Sequence, residues 1–256
     1  LLLPKKLRNI FSSRFGNEGS IWYLDFTSLE PRVLLSTKQL LESNPSLLIG
    51  DLPLAFSLRN SGSINASNIK ILPNDIYSDA LKEMKLSSEI TRDLLKQIIL
   101  PQLYGQAKSV TIEMLEKQNV RRPDEVVEMV NEYFGIDFVK SKIFEAFEKA
   151  DGRFVRTYYG RHVIPGDNKP HVLLNYFIQS TAVDVALLGF KQILERLKTI
   201  PGNKQEMFVP LFILHDGLFL DVNKSVEHLI PKLCKLGSIN LFGFEHQNFH
   251  LTGTKI

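Results

Sequence analysis

The sequence predicts a mixed fold of the α/β (α+β) class, in which an antiparallel sheet carries a large helical insertion between its strands. Three observations lead there. A β-prone run, Ile21 to Phe26, holds an aspartate near its end; the run Met207 to Val222 is two apolar stretches separated by His215-Asp216-Gly217; and the residues between repeat apolar side chains at helical spacing. With 256 residues, 44% of them hydrophobic, the chain can bury a substantial core as one large domain or two smaller ones.

Taken in order, the Ile21 to Phe26 strand delivers the Asp25 carboxylate at its end, and Leu29, Val33, Leu34 and Leu35 then have the spacing of a helix start. Residues 59 to 79 are rich in Ser, Asn, Gly and Ile and contain Pro73, so they read as a long irregular connection or a local insertion. From Ser87 to Tyr104, the residues Ile90, Leu94, Leu95, Ile98, Ile99 and Leu103 form the apolar stripe of a long amphipathic helix, with Arg92 and Lys96 between them. Pro101 removes the bond to the Gln97 carbonyl in its last turn, so a kink or early stop is expected. A second helical region is expected from Pro123 to Lys149. Arg153 to His171 mixes basic residues with Tyr158, Tyr159, glycines and prolines, which suits a basic hairpin or loop. Val172 to Leu197 is again helical in period, with Asn175 and Gln179 one turn apart on one face. Asp216-Gly217 between apolar strands signals a tight hairpin.

The charge is nearly balanced, 31 basic side chains against 28 acidic, which permits nucleic-acid binding without demanding it. Cys234 is the only cysteine, excluding an internal disulfide and a cysteine-based zinc site. No apolar run approaches the roughly 20 residues needed to cross a bilayer, so no membrane partner is expected.

Taken singly, the polar residues have plain structural readings. Asp216-Gly217 reads as a turn, Asp25 as a cap on the helix that follows, and Arg92 with Lys96 as a solvated basic face. Their order along the chain says more. Asp25-Phe26-Thr27-Ser28-Leu29-Glu30-Pro31-Arg32 sets an aspartate, a glutamate and an arginine in one register. Arg92 and Lys96 precede Tyr104-Gly105; Thr157, Gly160 and Arg161 form Thr-x-x-Gly-Arg; Asn175, Gln179, Thr181, Ala182 and Asp184 follow; and His215-Asp216 closes the series. This ordered set, spread over most of the chain, resembles the motifs of the family A DNA polymerases, bacterial DNA polymerase I and its phage relatives.

The resemblance implies a right-hand polymerase fold lacking a complete thumb, with the palm at residues 1–40 and 170–256 and the fingers at 41–169. It implies template-directed DNA synthesis by two-metal nucleotidyl transfer. Asp25, Asp216 and Lys96 would be catalytic, and Asp25, Asp216 and Phe26 would hold two Mg2+ ions, for which Mn2+ can substitute. Arg92, Lys96, Tyr104, Glu30, Leu100 and Tyr77 would meet the incoming deoxynucleoside triphosphate. Asn175, Gln179, His215, Arg161 and Thr157 would meet primer-template DNA, with Arg153 and Arg156 beside them on the basic loop. The partners implied are primer-template DNA, deoxynucleoside triphosphates and an upstream thumb or exonuclease segment, in cis or as a separate subunit.

The chemistry explains the residue types. Two carboxylates brought within about 4 Å repel by roughly 4 kcal/mol at an effective dielectric near 20, so the pair calls for a cation. Hard carboxylate and triphosphate oxygens select magnesium. Glu30 beside the nucleotide would exclude a 2′-hydroxyl by volume.

The pattern also has departures. Gly217 stands where the family has an acidic residue, Leu100 where it has Phe or Tyr, and Tyr77 and His171 where it has a histidine and an arginine. Two alternatives follow: a polymerase-like DNA-binding subunit that does not catalyse, suggested by Gly217 and Leu100, and a single-subunit RNA polymerase relative, opposed by Glu30.

Overall fold

The structure is a computed structural model that describes residues 12–47, 49, 70–166, 172–199, 206–214, 216–240 and 248–256. In chain order its elements are β1 (Gly19–Phe26), α1 (Leu29–Ser43), α2 (Ile76–Glu83), α3 (Arg92–Leu103), α4 (Lys108–Lys117), α5 (Pro123–Phe134), α6 (Ile136–Lys149), β2 (Val155–Arg156), β3 (His162–Val163), α7 (Leu173–Lys198), β4 (Phe208–Leu214), β5 (Gly217–Asn223), α8 (Ile230–Gly237), β6 (Ile239–Asn240), β7 (Asn248–Phe249) and β8 (Leu251–Lys255). They form two compact units. One gathers the described residues of Leu1–Leu29, Val183–Gly243 and Asn248–Ile256, the other those of Glu30–Ala182.

The first unit is built on an antiparallel sheet in the order β4-β5-β1-β8, so the two strands expected from sequence become neighbours. Alternation along β1 turns Leu24 and Phe26 to one face and Tyr23 and Asp25 to the other. The Leu24 face is packed by helices: Phe26 meets Phe190 of α7 with ring centroids 5.8 Å apart, and a side chain at Gly253 would run into Ile230 of α8 and Leu24 at about 3 Å. Gly189 of α7 lies so close to the Gly237 carbonyl that a Cβ there would stand 2.3 Å from it. Burial under this layer pushes the Cys234 thiol up to about 11. At the far end of the sheet Asp221, only 2% exposed, accepts hydrogen bonds from Ser13 Oγ (2.6 Å) and the Arg14 N–H (2.8 Å), which pins the segment ahead of β1.

The second unit is helical. Val33, Leu34, Leu40 and Leu41 bury one side of α1 at helical spacing. Asp75 caps α2, accepting from the Tyr77 and Ser78 N–H groups, and Thr91 caps α3 by accepting from Leu94 N–H at 3.2 Å. The Thr91 cap fixes the start of α3 at Arg92 rather than at Ser87. Pro101 does not break α3 at once; the helix ends two residues later at Leu103. The helical region expected over Pro123 to Lys149 is made of two helices, because Gly135 takes a left-handed φ of +69° between them. The side chain of Lys38 fills the space beside Gly135 and donates from Nζ to the carbonyls of Glu132 (2.8 Å) and Tyr133 (3.0 Å), satisfying the end of α5.

The short β2–β3 hairpin occupies the expected basic loop, and buried Tyr158 anchors it by donating to Thr37 Oγ1 of α1 at 2.6 Å. Most of the irregular connection expected over residues 59 to 79, and His171, lie outside the described residues.

Helix α7 corrects the expectation about apolar runs. Over 18 residues its mean hydropathy reaches 1.3, enough by length and composition to cross a bilayer. However, 56% of that window is buried inside the protein, as in a core helix, and Asp184 interrupts it.

Candidate active site

In the sheet unit the antiparallel register sets Asp25 of β1 opposite Gly217 of β5, so Asp216, the residue just before β5 begins, comes next in the chain at that end of the strand pair. On its other edge Asp25 pairs with Thr252 of β8, whose Oγ1 donates to the Asp25 carbonyl at 3.2 Å. Asp25 is therefore a strand residue and does not cap α1, which begins only at Leu29. Both aspartates are half-buried, and Oδ1 of Asp25 is out of contact with solvent.

The donor set fits a hard divalent cation. A carboxylate in β1 and one just ahead of β5 offer oxygens alone, the chemistry magnesium prefers. Among the described residues no cluster of three or more His, Cys, Asp or Glu side chains could hold a metal, so an ion here would take further ligands from backbone, water or substrate. For Phe26 that leaves only its carbonyl, since its ring is 3% exposed in the core and has no ligating atom.

Gly217 is not a turn residue. Leu214 pairs with Gly217, so the connection between β4 and β5 comes before it, and its φ is not left-handed. What requires glycine is the ring of Tyr23: a Cβ at position 217 would lie 2.0 Å from its Cε2 and 2.5 Å from both Cζ and the hydroxyl oxygen. Tyr23 lies two residues before Asp25 on the same face of β1, and its ring rests on Phe219 (4.8 Å between centroids), which stacks on Phe212 (4.4 Å). Sequence reading missed Tyr23, although its spacing from Asp25 was visible.

In the helical unit, Arg92 and Lys96 project from one face of α3 over Tyr77. The guanidinium carbon is 5.2 Å and the ammonium 5.5 Å from the ring centroid, while Tyr77 itself is 2% exposed. Tyr77 is thus a floor under the two cations. Asp75 accepts from Arg92 Nε at 2.8 Å and so ties that guanidinium to the cap of α2. Burial pushes the Asp75 carboxyl up, but hydrogen bonds from Arg92 and Ser78 outweigh it and hold it below the usual range. Sequence reading missed Asp75 as well; the spacing Asp75 to Ser78 ahead of an apolar helix was the available signal. Lys96 stays within 3.7 Å of Asp93, and both cations keep over a third of their side-chain surface in water, so an anion can reach them.

Beneath this group lies Arg32, fully buried, with Nη2 donating to the carbonyls of Pro73 (2.8 Å) and Asn74 (2.7 Å). Desolvation lowers its pKa, opposed by the attraction of Asp75 and Tyr77. Glu30, in the first turn of α1, accepts from the Tyr104 hydroxyl at 2.7 Å, joining two residues expected at the nucleotide. Leu100 is half-buried on α3. Asn175 and Gln179 are half-buried one turn apart on α7, and Arg161 is exposed on the hairpin. Thr157, expected on DNA, is fully buried; its N–H donates to Arg161 and its carbonyl accepts from Gly160, so it shapes the hairpin rather than presenting its hydroxyl. His215 lies outside the described residues.

No protein-family model matches this chain, and no curated protein sequence does. Among solved structures the chain is similar to the polymerase domain of Pol1 from M. smegmatis, in complex with DNA primer-template and dNTP, with a TM-score of 0.64 and 15% sequence identity. The likeness covers all of this chain and 42% of that one, so the chain spans less than half the length of that structure. At this identity the comparison establishes the fold, a mixed α/β arrangement with an antiparallel sheet similar to that of a polymerase domain.

Proposed function

We propose that this chain catalyses template-directed DNA synthesis, adding deoxynucleotides to a primer 3′-hydroxyl in the manner of a family A DNA polymerase. The observation that carries the proposal is the strand register that pairs Asp25 with Gly217, the residue that follows Asp216. The fold of the M. smegmatis polymerase domain, determined with primer-template and dNTP, supports the same reading.

In this reading Asp25 and Asp216, with the Phe26 carbonyl, hold two magnesium ions. When bound, these supply the charge that favours attack by the 3′-hydroxyl and departure of pyrophosphate. Arg92 and Lys96 bind the triphosphate, their side chains oriented by Tyr77 and Asp75 before the substrate arrives, which lowers the ordering cost of binding. Lys96 donates the proton that the leaving pyrophosphate takes up. Glu30, braced by Tyr104, fills the volume a 2′-hydroxyl needs. Asn175, Gln179, His215 and Arg161 position the duplex through contacts that carry no sequence information.

The test is primer extension with magnesium by Asp25→Asn and Asp216→Asn. Each should reduce turnover by at least about three orders of magnitude, in line with losing charge placement at the reacting phosphate, with primer-template affinity nearly intact. Substantial turnover by either variant removes the two-aspartate assignment.

A further inference from the structure

We infer that the Tyr23 hydroxyl is a positioning group of the two-aspartate centre, occupying the place a side chain at position 217 would take. The inference rests on the reading of Asp25 and Asp216 as ion ligands. Glycine at 217 is not a demand of the backbone, because Gly217 is an ordinary strand residue paired with Asp25 on one side and Leu214 on the other. It is a demand of the Tyr23 ring, which fills the volume any larger residue would need: 2.0 Å from ring carbon to the Cβ position is far inside contact distance. A side chain at 217 would therefore have to displace the Tyr23 ring from its place against Phe219.

A ring that merely covers a strand glycine needs no hydroxyl. Here the hydroxyl oxygen lies 2.5 Å from the Cβ position of residue 217, at the residue between Asp216 and the rest of β5. Strand alternation puts Tyr23 and Asp25 on the same face of β1, and Phe219 and Gly217 on the facing side of β5, so the hydroxyl shares its face with the Asp25 carboxylate. Stacking through Phe219 to Phe212 holds the ring in place. A neutral O–H at this place can donate to a carboxylate or to a water in an ion's shell, orienting ligands as an outer-shell partner does. It does so without adding a third negative charge.

The experiment compares Tyr23→Phe with the parent in two assays on the full chain: Mn2+ binding followed by electron paramagnetic resonance, and single-turnover incorporation over a magnesium titration. Phe keeps the ring and its packing, so the fold and primer-template affinity stay as in the parent. Tyr23→Phe should bind Mn2+ about three- to tenfold more weakly and need correspondingly more magnesium for half-maximal rate. A swap, Tyr23→Ser with Gly217→Glu, should recover ion affinity, whereas Gly217→Glu alone should disrupt the hairpin. If Tyr23→Phe matches the parent in both assays, the ring is only a cover for Gly217 and the inference falls. Asp25→Asn is the control that separates the two claims: if it retains parental Mn2+ binding, the ion-site reading has failed; if it loses binding while Tyr23→Phe keeps it, only the role of the hydroxyl has failed.

Discussion

Replacing Arg32 with methionine tests the link between the first motif and the nucleotide-facing cations. The guanidinium is fully buried and gives at least two hydrogen bonds, to the carbonyls of Pro73 and Asn74 at 2.8 and 2.7 Å. Methionine matches much of the volume but donates nothing, so both carbonyls lose a charge-assisted partner. Stranding a buried acceptor costs about 1–3 kcal/mol. Two of them cost about 2–6 kcal/mol, and relief from burying a charge offsets part of that, leaving about 2–4 kcal/mol. For a chain of this size the melting temperature should fall by about 5–15 °C. Far-UV circular dichroism is the appropriate probe, because Trp22 belongs to the sheet unit and Arg32 to the helical one. The effect should also reach function. Pro73 and Asn74 immediately precede Asp75, whose carboxylate holds Arg92, so Arg32→Met should raise the KM for deoxynucleotides well below its melting temperature. A stability loss under about 1 kcal/mol, within the range of ordinary surface substitutions, with an unchanged KM would refute the reasoning.

Lys96→Ala should slow incorporation about 10- to 100-fold and weaken nucleotide binding without altering primer-template affinity, which single-turnover kinetics measures. Glu30→Ala should raise ribonucleotide relative to deoxynucleotide insertion, and Tyr104→Phe, which removes only the hydroxyl donated to Glu30, should move selectivity the same way by a smaller factor in competition assays. Burial raises the Glu227 carboxyl, but hydrogen bonds from Lys255, Ser20 and Trp22 outweigh it and hold it below the usual glutamate value. Its contribution to stability is then fully present above the unfolded-state glutamate pKa and lost as pH falls through the lower folded value. Acid unfolding followed by the fluorescence of Trp22, the single tryptophan, should show that loss in the parent and not in Glu227→Gln.

What the sequence disclosed depended on whether the signal was local. The strand around Asp25, the helix carrying Arg92 and Lys96 and the hairpin near Asp216 each carry their own periodicity within a few residues, and all three formed. The break at Gly135 was hidden because the apolar rhythm runs through it, from Val130 and Phe134 to Ile136 and Val139, all of them buried; only the left-handed φ at Gly135, secured by Lys38 from a distant helix, separates α5 from α6. The third charge-bearing partner of the cationic cluster, Asp75, was hidden for the same reason, since its cap is local but its hold on Arg92 is tertiary. Gly217 shows the limit most sharply. Beside an aspartate it carries every local mark of a turn, yet it lies in a strand and has no left-handed φ, and the residue that fills the place of its side chain is Tyr23, brought alongside only by the pairing of β1 with β5. A glycine that a turn requires can be replaced by another residue tolerant of positive φ. A glycine that a neighbouring ring requires can gain a side chain only where the ring is moved or replaced, so the identities of positions 23 and 217 are coupled, at the strand end that carries Asp25.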